Sequence, residues 1–247
     1  MVDEKLATGE FDVLTIVHNE TSTGVLNPLE EIAALKAKYP DVMFIVDTVS
    51  SMTALDINFD ELGIDVILAG TQKAFALPPG FAVFSVSEAA LAKSKTIDTR
   101  GYYFDFAEFQ KNAEKDMTPS TPSISHCYAL SQKLDEFFEE GLENRFERHK
   151  RLNHKTREWA KKHGFELFPE EGYESVSLTC INNGANEGGR VIDVAKLQGL
   201  MKEEGFMIDG GYGSIKDKTF RLSNMGDETD ETMQQLYDAL DRCIERL

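Results

Sequence analysis

Short apolar runs separated by polar turns fill the first third of the chain. Each run is five or six residues long, a length typical of buried strands. Apolar residues at helical spacing lie between some of the runs, which predicts crossover helices and a mainly parallel sheet. The four predicted strands are Asp12–Val17, Val42–Val46, Asp65–Ala69 and Phe81–Val86.

The predicted helices of this part have recognisable ends. Asn27 and Pro28 are typical of a helix start, with Asn27 as the cap, and Pro40 ends that helix. Asn58–Leu62 is predicted to be a short helical turn capped by its asparagine, and Ser87–Ala92 to be a further helix.

The second half of the chain is predicted to be richer in helix. The region from Ile124 to His163 is expected to form one long connecting helix that Gly164 ends. Asp230–Leu247 carries a single apolar stripe, typical of a helix that packs on a core. Further predicted elements are helices at Phe106–Glu114 and Val194–Glu204, strands at Ser175–Ile181, Phe206–Ile208 and Thr219–Leu222, and a polar connection at residues 1–10.

The amino-acid composition excludes some classes of binding partner. The chain has 247 residues, 41% of them hydrophobic, with 26 basic and 43 acidic side chains and a net charge of −17. Such a charge repels polyanions and argues against nucleic acid and anionic membrane as partners. Cys127, Cys180 and Cys243 show no metal or disulfide spacing, and no apolar run approaches the length of a membrane span. With an acidic rather than basic start, these features predict a cytoplasmic protein.

Two charged side chains follow neighbouring predicted strands. Asp47 comes directly after Val42–Val46, and Lys73 follows Asp65–Ala69. A right-handed crossover between parallel strands would bring both side chains to the carboxyl edge of the sheet, where ligands of open α/β sheets bind. A lysine that forms a Schiff base and an acid that holds a pyridinium nitrogen are what pyridoxal-phosphate chemistry requires of a protein.

The motifs around these residues carry a family resemblance. HNETSTGVLNP, VDTVSS and AGTQKAFALPPG, in this order, resemble class V pyridoxal-phosphate aminotransferases, especially the alanine–glyoxylate and serine–pyruvate branch. GFMIDGGYG and TFRLSNMG resemble that family's small domain, so the likeness covers nearly the whole chain. It implies an α/β fold of fold type I, with a partial large cofactor-binding domain at 1–145 and a small C-terminal α/β domain at 146–247.

Members of this family begin with further strands and helices that carry a glycine-rich phosphate loop. The chain starts just before the HNETSTG strand, so it resembles the C-terminal portion of an aminotransferase. A helix N-terminus with a glycine-rich loop supplies most of the donors that a phosphate needs. The chain alone is therefore expected to bind pyridoxal phosphate poorly and to need a partner.

The resemblance also implies roles for individual residues. Lys73 would form the aldimine with the cofactor and carry the proton between the substrate's Cα and the cofactor. Asp47 would pair with the pyridine nitrogen, Val49 would pack on the ring, and Thr21 would bind its phenolic oxygen. Arg221 would bind the substrate's α-carboxylate by a two-pronged hydrogen bond, for which a lysine is no substitute.

The same resemblance places the cofactor's phosphate at a subunit interface. Gln72 and Thr71 would contact it from one chain, and Ser120 and Thr121 would reach it from the other chain of a homodimer. The implied reaction is transamination between a small amino acid, such as alanine or serine, and glyoxylate or pyruvate.

Two other interpretations remain open. Cysteine desulfurases and related lyases share the fold and cofactor, but they have a histidine where this chain has Gln72 and use a mobile loop cysteine. An inactive fragment without cofactor is the other. His18 and the three cysteines are interpreted as packed core residues, and the basic run Arg145–Arg151 as a solvated helix face.

Overall fold

The structure, a computed structural model, describes all residues from 1 to 247. Its strands are β1 Val13–Val17, β2 Asn19–Glu20, β3 Val25–Leu26, β4 Met43–Asp47, β5 Val66–Gly70, β6 Ala82–Val86, β7 Leu178–Asn182 and β8 Thr219–Ser223. Its α-helices are α1 Val2–Leu6, α2 Leu29–Ala33, α3 Glu88–Lys95, α4 Phe106–Ala113, α5 Ile124–Glu140, α6 Leu142–Lys162, α7 Val194–Glu203 and α8 Asp230–Ile244. Short 3-10 helices lie at Ala34–Ala37 and Gly213–Ile215.

The four predicted strands of the first third form one sheet. The strand order is β1-β4-β5-β6, with β1, β4 and β5 parallel and β6 antiparallel to β5. The last strand reverses direction because the short turn at Pro78–Gly80 leaves no room for a crossover. The α/β class and the mainly parallel sheet are therefore confirmed.

The largest hydrophobic core lies in the C-terminal part. It contains 17 buried residues contributed by α6, α7, α8, β7, β8 and Phe165. The predicted stripe of α8 supplies its inner face, with Met233, Leu240 and Cys243 almost completely buried. A smaller cluster of five buried residues, including Val46 and Ile67, packs against the four-stranded sheet. The division into two domains at residues 145 and 146 stays a prediction.

One expected helix is two helices. Gly141 separates α5 from α6 and has φ 82°, a left-handed value that residues with a Cβ avoid. The apolar and charged spacing continues across this glycine, so the sequence pattern did not mark the break. The two helices can therefore take different directions around the site.

Four local predictions were wrong. Residues 1–6 are not a plain polar connection, since α1 buries Leu6. Asn27 does not cap α2, because its Nδ2 donates to the carbonyl of Val17 at 2.7 Å. Residues 206–208 form no strand. By contrast, the helical turn expected at Asn58–Leu62 is present: the backbone N–H of Leu62 donates to the Asn58 carbonyl at 3.0 Å, and the N–H of Glu61 donates to Oδ1 of Asn58 at 3.4 Å. Cys127 is exposed on α5, whereas Cys180 and Cys243 are buried as expected.

No helix of the protein combines the length and the apolar character that crossing a membrane requires.

Two buried histidines predict that acid destabilises the fold. Burial is the main cause that lowers the pKa of His18 and of His149 from 6.5 to about 4. Between these values the unfolded chain binds more protons than the folded chain, so the free energy of unfolding falls as the pH drops from about 6.5 to 4. Each histidine is expected to remove about 3 kcal/mol by pH 4.

Urea unfolding at several pH values measures this loss. His149→Gln is expected to flatten the dependence between pH 6.5 and 5. His154→Gln serves as the matched control, because His154 is exposed on the same helix. Equal pH dependence in the His149 variant and in the wild-type chain would contradict the prediction.

Candidate functional site

The predicted pair of charged residues lies at one edge of the four-stranded sheet. Asp47 ends β4 and pairs with Leu68 of β5, so both parallel strands run toward this edge. Asp47 is half-buried, and its Oδ1 accepts a hydrogen bond from the backbone N–H of Val49 at 2.9 Å. Lys73 follows the end of β5 in the turn on the same edge. The topology thus brings the carboxylate and the amine to one side of the sheet.

A buried hydrogen-bond network joins this edge to the chain before β7. The Thr21 hydroxyl lies 2.5 Å from the hydroxyl of Ser50, in the turn after β4. Asn19 Nδ2 donates to the carbonyl of Ser50 at 2.8 Å and to the Ser177 hydroxyl at 2.7 Å. The Ser177 hydroxyl in turn donates to the same Ser50 carbonyl at 2.7 Å. These contacts hold the Thr21 loop beside the end of β4.

A cavity of about 860 Å³ opens beside Lys73. Lys73 is half-buried and takes part in none of the ion pairs, so its amine is available to a ligand. The opposite wall comes from β8 and from the segment Phe206–Asp209. Four of the residues implied by the resemblance line this cavity together: Thr21, Gln72, Lys73 and Arg221.

The other implied residues do not line the cavity. Asp47 and Val49 lie half-buried at the sheet edge. Thr71 is fully buried, and its hydroxyl donates to the carbonyl of Pro78 at 3.0 Å, which ties down the turn after β5. Ser120 and Thr121 are exposed in the extended segment before α5.

Arg221 is buried on β8 and its guanidinium forms part of the cavity wall. Its Nη2 lies 2.6 Å from Oδ2 of Asp209, and its Nη1 donates to the carbonyl of Thr21 at 2.8 Å. The guanidinium carbon lies 4.6 Å from the centre of the Tyr212 ring. Nε is buried without an acceptor. A planar guanidinium on a cavity wall, with an aromatic ring over one of its faces, is suited to a carboxylate ligand.

Arg145 supports the lysine-bearing turn, and sequence reasoning missed it. The expectation of a solvated helix face is wrong for this residue, which is 1% exposed. Its Nη2 donates to the carbonyl of Ala74 at 2.7 Å, and its Nη1 donates to Glu140 at 3.1 Å. Burial lowers the pKa of Arg145, and Glu140 opposes that shift. The helical spacing of Arg145, His149 and Leu152 could have indicated its burial, because the three residues share one face of α6 and the other two are buried.

Gly226 closes the other side of the same turn. Its backbone N–H donates to Nε2 of His149 at 3.2 Å, and its carbonyl accepts from Arg148 at 3.0 Å. A Cβ at Gly226 would lie 2.9 Å from the Cβ of Ala76, a distance that real Cβ atoms do not show. Its φ of 82° also favours glycine. The NMG motif therefore brings the C-terminal part into contact with the turn that carries Lys73.

Comparison with known proteins shows which family the chain belongs to. The family model for class V aminotransferases matches residues 2–211. The chain belongs to the class V aminotransferase family. The match covers both the sheet edge that carries Asp47 and Lys73 and the first part of the C-terminal region.

Individual relatives give the same family. An uncharacterized aminotransferase of Methanocaldococcus jannaschii is 40% identical over 220 residues, covering 88% of this chain and 56% of that protein. The serine–glyoxylate aminotransferase of Arabidopsis thaliana is 34% identical over 216 residues, covering 86% of this chain and 53% of that protein. The chain thus spans about half the length of these curated relatives.

A solved structure shows that this member of the class V aminotransferase family has the family's fold. The alanine–glyoxylate aminotransferase of Nostoc sp. superposes with a TM-score of 0.89 at 28% identity. The match covers 98% of this chain and 64% of the Nostoc chain. The expected fold-type I architecture is therefore confirmed.

Proposed function

We propose that this class V aminotransferase transfers an amino group from a small amino acid, such as alanine or serine, to glyoxylate or pyruvate. The observation that carries the proposal is the cavity in which the unpaired amine of Lys73 and the guanidinium of Arg221 face one space. Relatives named for serine–glyoxylate and alanine–glyoxylate transfer support this substrate class.

Pyridoxal phosphate fits the donors at this edge. The half-buried amine of Lys73 and the hydroxyl of Thr21 line the cavity, and the half-buried carboxylate of Asp47 lies at the same edge of the sheet. When bound, the cofactor supplies an aldehyde that takes up the amino group and a ring that withdraws electrons from the substrate's Cα–H bond. Asp47 would hold the ring nitrogen, Val49 would pack on the ring, and Thr21 would bind its phenolic oxygen.

The phosphate would be held by fewer groups of this chain. Gln72 lines the cavity and can donate its amide, whereas the Thr71 hydroxyl already donates to Pro78 and would have to turn away from it. Ser120 and Thr121 are exposed and do not line the cavity, as expected of groups that serve the partner of a homodimer. We therefore propose a cytoplasmic homodimer with the phosphate at the subunit interface.

Lys73 and Arg221 would have different roles in the reaction. Arg221 would bind the α-carboxylate and so orient the substrate's Cα toward Lys73. The Nζ of Lys73 would attach the cofactor covalently in the resting state, and would then take the proton from Cα and deliver it again. The Tyr212 ring would keep the guanidinium in the plane that two hydrogen bonds to one carboxylate require.

The cysteine positions favour transamination over the desulfurase alternative. Cys180 is buried, and burial raises the pKa of its thiol to about 11, which suppresses the reactive thiolate. Cys243 lies in the C-terminal core, and Cys127 is exposed on α5. None of the three lines the cavity beside Lys73.

Arg221→Lys tests the proposal. We expect KM for alanine to rise about ten- to a hundredfold, because one forked, charged contact to the carboxylate is lost. The visible absorbance of bound cofactor is expected to persist, since Arg221 would not hold the ring. Steady-state kinetics and absorbance of a complete enzyme that carries this C-terminal portion, loaded with pyridoxal phosphate, measure the two effects.

Arg242→Lys is the matched control, because Arg242 pairs with Glu204 on the exposed face of α8 and should leave KM unchanged. Loss of the cofactor band in Arg221→Lys with unaltered KM would show that the roles are assigned wrongly. Absence of any visible band from the wild-type chain at high cofactor concentration would favour the inactive fragment.

A further inference from the structure

The guanidinium proposed to bind the substrate's carboxylate already holds a carboxylate of its own chain. Oδ2 of Asp209 lies 2.6 Å from Nη2 of Arg221, and both residues line the cavity beside Lys73. The two side chains differ sharply in exposure: the Asp209 side chain is 60% exposed and that of Arg221 is 6% exposed. The ion pair therefore sits at the mouth of the cavity, with its anionic partner toward solvent.

The backbone holds Asp209 in place independently of its side chain. The N–H of Arg221 donates to the carbonyl of Asp209 at 2.9 Å, in an isolated bridge between the two residues. The Asp209 side chain accepts no hydrogen bond besides its contact with Arg221. Its carboxylate can consequently rotate into solvent while the chain around it stays fixed.

Arg221 keeps other support when that carboxylate leaves. Its Nη1 donates to the carbonyl of Thr21, and the Tyr212 ring covers one face of the guanidinium. Its buried Nε has no acceptor while Asp209 occupies Nη2. An incoming carboxylate that takes Nη2 and Nε together would satisfy both N–H groups, which Asp209 does not do.

We propose that Asp209 is a specificity-determining residue: an internal carboxylate that occupies Arg221 until the carboxylate of a substrate displaces it, and that disfavours ligands with a second carboxylate. This inference rests on the proposed role of Arg221. Once displaced, Asp209 remains at the cavity mouth, where Glu228 also lies. A ligand with one carboxylate replaces a charge of the same sign, whereas a second carboxylate adds to this acidic wall and is repelled.

The test uses propionate and succinate as unreactive probes with one and two carboxylates. They are titrated into the purified 247-residue chain by isothermal titration calorimetry, which gives the dissociation constant for every variant. In the variants that keep Arg221, its Nε–H resonance is also followed in protein labelled with ¹⁵N-arginine. Asp209→Asn is expected to lower the dissociation constant of propionate about three- to tenfold, because a competing partner of Arg221 is removed. The dissociation constant of succinate is expected to fall by a larger factor than that of propionate.

Asp217→Asn is the matched control. Asp217 lies in the same loop region, is exposed, and makes no ion pair with Arg221, and asparagine tolerates its positive φ of 62°. The control changes net charge equally and should leave both dissociation constants unchanged. Asp209→Ser repeats the main measurement with a shorter side chain, so that a folding defect in one variant does not decide the result.

The outcomes separate this inference from the proposed function. If Arg221→Ala abolishes propionate binding and neither Asp209 variant tightens it, the ion pair is only structural and the inference is overturned. If the dissociation constants of propionate and succinate fall by the same factor, the inference that Asp209 disfavours a second carboxylate is overturned. If Arg221→Ala leaves propionate binding unchanged, the proposed carboxylate site itself is wrong.

Discussion

In a complete enzyme that carries this C-terminal portion, Lys73→Ala is expected to lower transamination more than about a hundredfold, because no other group of this portion on the cavity wall can attach the cofactor and move the Cα proton. Lys73 makes no ion pair, and its turn is held by backbone contacts, so the fold should keep its stability. Alanine–glyoxylate assays measure the loss of activity. Borohydride reduction followed by peptide mapping identifies the lysine that carries the cofactor.

Lys115→Ala is the control for this experiment, since Lys115 is exposed after α4 and does not line the cavity. It should leave both the labelled peptide and the rate unchanged. Cofactor attached to a lysine other than Lys73 in the wild-type protein would show that Lys73 is not the residue that binds the cofactor, whatever the rate of the Lys73 variant.

Arg145→Ala is expected to lower the free energy of unfolding by about 3 kcal/mol. The substitution leaves the carbonyl of Ala74 without its buried donor and removes the guanidinium that lies 3.9 Å from the centre of the Phe137 ring. Glu140 keeps Arg148 as a partner at 2.6 Å, so the substitution leaves no carboxylate without a cationic partner. The loss of unfolding free energy therefore stays near the lower end of the range for a broken buried ion pair. Urea unfolding at pH 7 measures the change.

The same basic run supplies the control. Arg151 is exposed and pairs with Asp230, so Arg151→Ala should change the free energy of unfolding by less than about 1 kcal/mol. Because Arg145 supports the turn after Lys73, its variant should also bind pyridoxal phosphate more weakly. An Arg145 variant as stable as the Arg151 variant would show that the buried contacts contribute nothing net.

The elements nearest the site were predictable because their signals are local. Strands β4 and β5 are continuous apolar runs that end in polar turns, which is typical of burial in a parallel sheet. The edge strand β1 has a similar apolar run, although the structure leaves Val13 and Val17 exposed. The α8 stripe was predictable for a similar reason, since its period matches a helix. The order of Asp47 and Lys73 after adjacent strands then implied a shared edge, and the structure has both strands parallel and adjacent.

Contacts between distant parts of the chain were not predictable in the same way. Arg145 resembles its exposed neighbours in sequence, and only packing of α6 against the turn at Ala74 decides that it is buried. The pair of Asp209 and Arg221 likewise depends on an isolated bridge between two segments 12 residues apart. The break at Gly141 had a possible signal in the glycine itself, but helix-forming residues on both sides outweighed it.

The amino-acid order alone determines the parallel α/β sheet, the positions of Asp47 and Lys73 at strand ends, and the membership in the class V family that the motifs carry. Each depends on hydrophobic period, chain direction or a short motif, which neighbouring residues encode. Only the tertiary structure decided that Thr21, Lys73 and Arg221 share one cavity, that Arg145 supports the lysine turn, and that Asp209 occupies Arg221. Those arrangements depend on how the C-terminal core packs against the sheet edge, and burial, charge pairing and desolvation act there between residues far apart in sequence.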